Sequence, residues 1–201
     1  MNNSKALLMI ATAALAAFSS GCTTSASTTG ARSPEAAAGV SPLSADQKRD
    51  IAQGYRDTLQ RLYDSTPGSR ELVGKAAGVL IFPSAISAGL FVGGEFGNGE
   101  LRVNERFAGY YRTTTGSFGL QAGAQSRALV FLFMTQDALA KFRDSKGWSA
   151  GADASVAVLK VGANGAVDLN AASAPMLAFV MTNAGLMANL TLEGTKVTRI
   201  E

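Results

Sequence analysis

The stretch that determines the fold is Gly78–Met134, GVLIFPSAISAGLFVGGEFGNGELRVNERFAGYYRTTTGSFGLQAGAQSRALVFLFM. It contains 10 of the 22 glycines and 9 of the 15 aromatic residues of the chain, a combination typical of strands with bulges or close backbone approach. Asn98-Gly99 lies between strand-like residues and predicts a hairpin, because a type I′ turn needs positive φ at both central positions. Leu129–Met134 is apolar at every position, which predicts a strand buried on both faces. The stretch therefore predicts a β-rich core.

Two helices are predicted immediately before this stretch. Ser44-Ala-Asp-Gln47 has the pattern of a capping box, so a helix is expected to begin there. Its apolar residues recur at helical spacing and share one face: Ile51, Tyr55, Leu59, Leu62 and Tyr63. The opposite side is acidic, which favours packing of this helix against the domain over an orientation in a membrane surface. Thr66-Pro67 predicts the start of a second, short helix that runs into Lys75.

The residues after the stretch continue the strand pattern. Asp137–Arg143 predicts one or two helical turns. Further strands are predicted at Trp148–Val161, Pro175–Met181 and Leu186–Leu192, with a second Asn-Gly hairpin at Asn164-Gly165. We therefore expect one domain over residues 44–201, of the α+β class and predominantly β. In it, two N-terminal helices pack on an antiparallel β-sandwich or a closed barrel-like sheet.

The N-terminal segment has the layout of an export signal. An apolar run from Ala6 to Phe18 follows Lys5, and its 13 residues are too few to span roughly 30 Å of hydrocarbon as a helix. Small residues then precede Cys22, the only cysteine, as in a bacterial lipoprotein signal covering residues 1–21. Ser19 stands where such signals usually carry leucine, and ordinary cleavage leaving a free Cys22 is the alternative. Lipidation of Cys22 is the favoured interpretation, because an unpaired cysteine is a liability in an exported protein.

Residues 22–43 are predicted to be a flexible tether. After Cys22 the composition is dominated by Thr, Ser, Ala, Gly and Pro, with too little apolar surface to offset the entropy of ordering. About 21 such residues reach roughly 25 Å, enough to hold a domain away from a bilayer. Thr23, rather than aspartate, follows the cysteine, which favours the outer membrane, with the domain on its periplasmic side.

Several motifs in the domain resemble the SYLF domain, a lipid-binding module. They are Gly78–Pro83, Ala88–Glu95, Tyr110-Tyr111, Gly119–Gln125, Gly185-Leu-Met-Ala, Leu192-Glu-Gly194 and Thr198-Arg-Ile200. The resemblance runs from about Ser44 to Glu201 and is specific, because separate motifs follow in the right order. Eukaryotic relatives bind phosphoinositides and some bind actin, whereas bacterial relatives are mostly secreted proteins or lipoproteins with a poorly defined ligand.

The resemblance implies a membrane lipid with an anionic head group as partner. Because lipid binding in the family has been ascribed to the N-terminal portion, the candidate lipid-binding residues there are Lys48, Arg49 and Arg56. A second candidate group is Arg102, Arg106 and Arg112, which with Phe107, Tyr110 and Tyr111 could form a basic-aromatic rim for head groups. The alternative for this second group is that the arginines are outward residues of alternating strands.

Composition argues against catalysis. The chain has no histidine and one cysteine, which removes the commonest general base and the usual zinc ligands, and it contains no phosphate-binding loop. Glu95 and Glu193 could be imagined as a carboxylate pair for glycoside hydrolysis, but nothing in the sequence brings them together. We expect no catalytic residues, no cofactor and no metal.

The charge of the chain does not favour a nucleic-acid partner, and none is expected. The net charge is +3, and removal of the signal leaves 17 basic against 15 acidic side chains, scattered rather than aligned. Two hypotheses remain. The first is a lipid-anchored protein of the outer membrane with a lipid-binding domain, and the alternative is a structural or protein-interaction module whose only membrane contact is the acyl anchor.

Overall fold

The computed structural model describes residues 42–89, 92–118, 125–159, 173–182, 185–186, 192 and 194–201. The described helices are α1 (Ala45–Ser65), α2 (Ser69–Lys75) and α3 (Gln136–Asp144). The described strands are β1 (Gly78–Gly89), β2 (Val92–Val103), β3 (Arg106–Phe118), β4 (Gln125–Phe133), β5 (Trp148–Ser149), β6 (Ala157–Val158), β7 (Met176–Thr182), β8 (Gly185–Leu186) and β9 (Lys196–Arg199). The predicted α+β class with a predominance of strands is confirmed.

The described strands form one sheet, curled into a half-barrel. Its order is β5-β9-β3-β2-β1-β4-β7-β6, and β8 lies beside β7. The pairings are antiparallel except that of β6 with β7, which is parallel. Two stacked sheets, one of the two predicted arrangements, are not found among these strands, because the long hairpins follow each other within a single ladder.

The sheet is buried on both faces at its centre. On β4, the alternate residues Leu129, Phe131 and Phe133 belong to one core cluster, which includes Phe142 of α3 and Trp148. The intervening residues Ala128, Val130 and Leu132 belong to a second cluster, which includes α1 and α2 residues. The prediction that Leu129–Met134 is buried on both sides is therefore confirmed for the residues in β4, and the strand predicted at Pro175–Met181 is confirmed as β7.

Helix α1 begins where the sequence predicted. The Ser44 side chain accepts a hydrogen bond from the Gln47 backbone N–H, and the Gln47 side chain accepts one from the Ser44 N–H, which completes the capping box. Its buried face packs toward β1 and β2. At Gly54 the helix lies so close to the β1 bulge that an added Cβ would be 2.6 Å from the Pro83 Cβ. A glycine at this position thus permits the helix to approach the sheet.

The hairpin predicted at Asn98-Gly99 is wrong. Both residues lie inside β2, where Asn98 pairs with Ser84 and with Arg112. The turn between β2 and β3 is at Asn104-Glu105, which have φ of 50° and 62° and so supply the two positive values that a type I′ turn needs. Gly99 has another role, since an added Cβ would lie 2.2 Å from the Ile81 carbonyl oxygen at the β1 bulge.

The other element predictions are partly correct. The helix predicted at Asp137–Arg143 is confirmed as α3, which Thr135 caps. The strand predicted at Trp148–Val161 is wrong as a continuous element, because a turn at residues 151–153 separates β5 from β6. Helix α2 begins at Ser69 after a left-handed Gly68, so the predicted start at Thr66-Pro67 is wrong by two residues. The second hairpin at Asn164-Gly165, and most of Leu186–Leu192, lie outside the described residues.

Candidate functional site: the α1–α2 cleft

A cleft of about 530 Å³ lies between α1, α2 and the turn that joins β2 to β3. We call it the α1–α2 cleft. Its lining residues are Tyr55, Leu59, Tyr63, Arg70, Val73, Gly74, Ala76, Gly78, Val79, Arg102, Asn104 and Glu105. The volume falls within the range of about 300–1,000 Å³ that is typical of small-molecule sites.

Arg102 of β2 is held in a fixed position at the cleft. Its guanidinium carbon lies 4.2 Å from the centroid of the Tyr55 ring, and its Nε and Nη2 lie 2.7 and 2.5 Å from Oε1 of Glu100. The Glu100 side chain is only 2% exposed, so its charge is balanced by Arg102 rather than by water. Burial raises the pKa of the Tyr55 phenol, which therefore stays protonated at neutral pH.

Arg70 of α2 makes a similar stack but remains available to a ligand. Its guanidinium carbon lies 4.0 Å from the centroid of the Tyr63 ring, a cation–π contact. No acidic side chain of the described residues lies within ion-pair distance of Arg70. Burial raises the pKa of the Tyr63 phenol as well, so the tyrosine supplies a neutral hydroxyl beside the cation.

One side of the cleft wall is apolar. Val79 belongs to the second core cluster, and Leu59, Val73 and Ala76 pack against that cluster. At Gly74, an added Cβ would meet no atom within 4 Å, so α2 leaves space on this side. Guanidinium groups and tyrosine hydroxyls beside aliphatic side chains suit an amphiphile, whose polar head and apolar part need different surroundings.

Of the three candidate residues on α1, none lines the α1–α2 cleft. Lys48 lies with its Nζ 2.5 Å from Oε2 of Glu201 and 5.5 Å from the Tyr110 ring centroid. Oε1 of Glu201 accepts a hydrogen bond from the Leu43 N–H, and these two contacts, Lys48 first, lower the pKa of the Glu201 carboxyl. Lys48 therefore joins the start of α1 to the last residue of the chain.

Arg49 and Arg56 lie on the exposed side of α1. Arg49 pairs with Asp46, and Arg56 donates a hydrogen bond to the Gln53 side chain. Among the described residues, the side-chain partners of both guanidinium groups lie on α1 itself. The assignment of Arg49 and Arg56 as lipid-binding residues stays a prediction.

Arg102, Arg106 and Arg112 do not form one basic-aromatic rim. Arg102 lines the cleft, whereas Arg106 begins β3 opposite Val103 and Arg112 donates from its Nε to Asn98 Oδ1 at 2.9 Å. Phe107 and Tyr110 do stack, with ring centroids 4.6 Å apart. Tyr111, however, is buried against Phe142 in the first core cluster, because successive strand residues point to opposite faces.

The imagined carboxylate pair has no support in the described residues. Glu95 is buried and lies with its Oε2 2.5 Å from Nη2 of Arg127, and Glu193 is outside the described residues. Among the residues that the structure describes, no group of three acidic, cysteine or histidine side chains could hold a metal ion. Cys22 also lies outside the described residues.

The sequence pattern does not identify Arg70, Tyr63 as its partner, or Glu105 as residues of the site. Tyr55 and Tyr63 are eight residues apart, and helical spacing predicts both on the packing face of α1. The two tyrosines do lie on that face, but each ring supports an arginine from another element. The i, i+8 spacing of the tyrosines was the available signal, and it did not reveal which cations the fold would bring to them.

The described residues form a mostly β domain, and its α1–α2 cleft combines cationic, aromatic and aliphatic side chains. Residues 114–200 match the Ysc84 family model, described as "Las17-binding protein actin regulator", and this match supports a SYLF domain in the chain. The matched region extends from within β3 to β9 and is less than half of the chain. A comparison with curated proteins gives no match. Within the described part of the chain, no helix has the length and apolar character needed to cross a bilayer.

Proposed function

We propose that this protein is a non-catalytic lipid-binding module that holds a phospholipid-type amphiphile in the α1–α2 cleft. The observation that carries the proposal is the combination of Arg70 and Arg102, each stacked on a tyrosine, with an aliphatic wall in the same cleft. The matching family is consistent with a lipid- or actin-related binding module.

The physical basis is an additive pair of contacts. A phosphate oxygen accepting from an unpaired arginine makes a charge-assisted hydrogen bond, typically about 1.5–3 kcal/mol net. Each methylene of an acyl chain that leaves water for the aliphatic wall contributes about 0.8 kcal/mol. A free phosphate ion gains only the hydrogen bond to the arginine and buries no methylene group. A lipid gains both contributions and is therefore the preferred ligand class.

Arg70→Gln is expected to weaken lipid binding about tenfold, because it removes the available cation while keeping a polar side chain. The measurement is flotation with liposomes that contain both phosphatidylglycerol and phosphatidylethanolamine, at low salt, where ionic attraction is strongest. The full chain should carry Cys22→Ser in this test, so that an acyl anchor does not conceal the contribution of the cleft.

Arg56→Gln is the matched control. It removes the same charge from an exposed position on α1, outside the cleft, and should leave flotation unchanged. Equal losses in the two variants would mean that net charge rather than the cleft attracts the vesicles. Flotation of the parent protein no better than that of an unrelated soluble protein would overturn the lipid-binding function.

We also propose that the mature protein is a lipoprotein anchored through Cys22 in the outer membrane, with the domain on the periplasmic side. The support is the order of Lys5, the apolar run and the small residues before the lone cysteine. A single acyl chain anchors only reversibly, whereas a cysteine carrying several chains gives stable membrane anchoring.

Cys22→Ser should therefore release a soluble periplasmic protein or leave uncleaved precursor, with the domain still folded. The chain has no other cysteine, so the substitution removes no disulfide. Mass spectrometry of the mature wild-type protein measures the modification directly. An unmodified N-terminus anywhere beyond Gly21 contradicts the lipoprotein assignment, and it leaves the test of the cleft unaffected.

A protein-interaction module is the second candidate. It is favoured by the description of the matching family as a protein-binding one, and by the exposed side chains of Ile86 and Phe96, which are cross-strand partners on β1 and β2. Under this function, flotation would depend on Cys22 alone, and the chain carrying Cys22→Ser would float no better than an unrelated soluble protein.

A further inference from the structure

The charges around the α1–α2 cleft have both signs. Arg70 and Glu105 line the cleft, and no ion pair among the described residues includes either of them. Arg102 also lines it, but Glu100 lies 2.5 Å from its Nη2 and balances its charge. The cleft therefore has one uncompensated cation, one uncompensated anion and no net charge.

Glu105 is presented to the cleft by the backbone. It is the second residue of the turn between β2 and β3, with φ of 62°, and its side chain is exposed. Glu105 lines the cleft together with Tyr55 and Tyr63. Its carboxylate contributes to the raised pKa of both phenols, but in each case it is the smallest of the causes, of which burial is the largest.

We propose that the head group bound in this cleft is zwitterionic, with a phosphodiester and a cationic amine, rather than purely anionic. The proposal rests on the proposed lipid-binding function and specifies its ligand. The phosphodiester contacts the Arg70 guanidinium, the amine contacts the Glu105 carboxylate, and the acyl part lies on the wall formed by Leu59, Val73 and Val79.

Electrostatics favours this ligand over an anionic one. A head group whose only charge is the phosphate is attracted by the Arg70 guanidinium. The same phosphate is repelled by the Glu105 carboxylate, which has the same sign of charge. Arg102 offers less attraction than its charge suggests, since its Nε and Nη2 are already engaged by Glu100. A head group with both charges satisfies Arg70 and Glu105 together, and neither is left unpaired when the ligand excludes water.

The test is calorimetric titration of the full chain, carrying Cys22→Ser, with three soluble probes. Two are dihexanoyl phospholipids below their micelle concentration, one with phosphoethanolamine and one with phosphoglycerol as head group. The third, glycerophosphoethanolamine, has the zwitterionic head without acyl chains, and it separates lipid binding from capture of a free head group. We expect the phosphoethanolamine lipid to bind about tenfold tighter than the phosphoglycerol lipid, and glycerophosphoethanolamine to bind more weakly than either.

The variants separate the two charges. Glu105→Gln should abolish the tenfold preference without lowering the affinity for the phosphoglycerol lipid. Arg70→Gln should lower the affinity for both lipids. Glu105→Asn gives the same loss of charge with a residue type that tolerates positive φ, so a defect of the turn does not confuse the result. Asp137→Asn, on α3 and outside the cleft, is the control and should keep the preference.

The outcomes also distinguish this inference from the proposed function. If the phosphoglycerol lipid binds as tightly as the phosphoethanolamine lipid or tighter, or if Glu105→Gln keeps the ratio, the zwitterionic preference is wrong and lipid binding stands. If neither lipid binds, the proposed function fails as well. If glycerophosphoethanolamine binds as tightly as the lipid with the same head, the ligand is a free phosphodiester rather than a lipid.

Discussion

Gly99→Ala is expected to lower the free energy of unfolding by about 3 kcal/mol, the upper part of the usual range for overpacking a core. The added Cβ would lie 2.2 Å from the Ile81 carbonyl oxygen and 2.7 Å from Cδ1 of Phe82. The phenylalanine ring is fully buried, and the carbonyl belongs to the backbone at the β1 bulge, so neither can move away without shifting the strand. Urea unfolding followed by the fluorescence of Trp148, which is buried in the core, measures the loss.

Gly94→Ala is the control on the same strand. The nearest atom to its added Cβ is the Thr115 carbonyl oxygen at 3.9 Å, which is ordinary van der Waals contact. Since alanine is preferred to glycine inside a strand, this variant should be neutral or slightly more stable. Similar losses at both positions would show that the close approach at the bulge does not decide the role of Gly99.

Gly99 also shows why the central hairpin was mispredicted. Asn-Gly between strand-like residues is a strong local signal for a type I′ turn, and nothing nearby in the sequence opposes it. The glycine is required instead by Ile81 and Phe82, which approach it closely from β1 and are far away in sequence. The actual turn uses Asn104-Glu105, and its second residue is not one that turn statistics favour at positive φ.

Burial and capping were predictable because they depend on local pattern. The capping box of α1 and the doubly buried β4 follow directly from residue spacing, and the structure has both. The site was less predictable. Arg102 was identified as a candidate, but Arg70 and Glu105 reach the same cleft from α2 and from the β2–β3 turn, a proximity that only the tertiary fold creates.

Arg127→Met is expected to lower the free energy of unfolding by about 3 kcal/mol, because it leaves a buried carboxylate without its counter-ion. Glu95 is the carboxylate concerned. Its side chain is 3% exposed, and Nη2 of Arg127 lies 2.5 Å from its Oε2. No hydrogen bond of good geometry reaches either oxygen, so the arginine charge is the main compensation that the described residues provide. The Arg127 side chain is 19% exposed, which places the expected loss at the lower end of the range for buried pairs.

The double variant Glu95→Gln/Arg127→Met should be more stable than Arg127→Met alone, because the unpaired charge is gone. Lys75→Met is the matched control, since it removes a lysine from the exposed Glu71–Lys75 pair on α2 and should leave stability unchanged. The measurement is a double-mutant cycle from urea unfolding, with the four proteins at one pH. If the two single substitutions simply add in the double variant, the Glu95–Arg127 contact contributes nothing, and the long side chain of Arg127 acts only by packing.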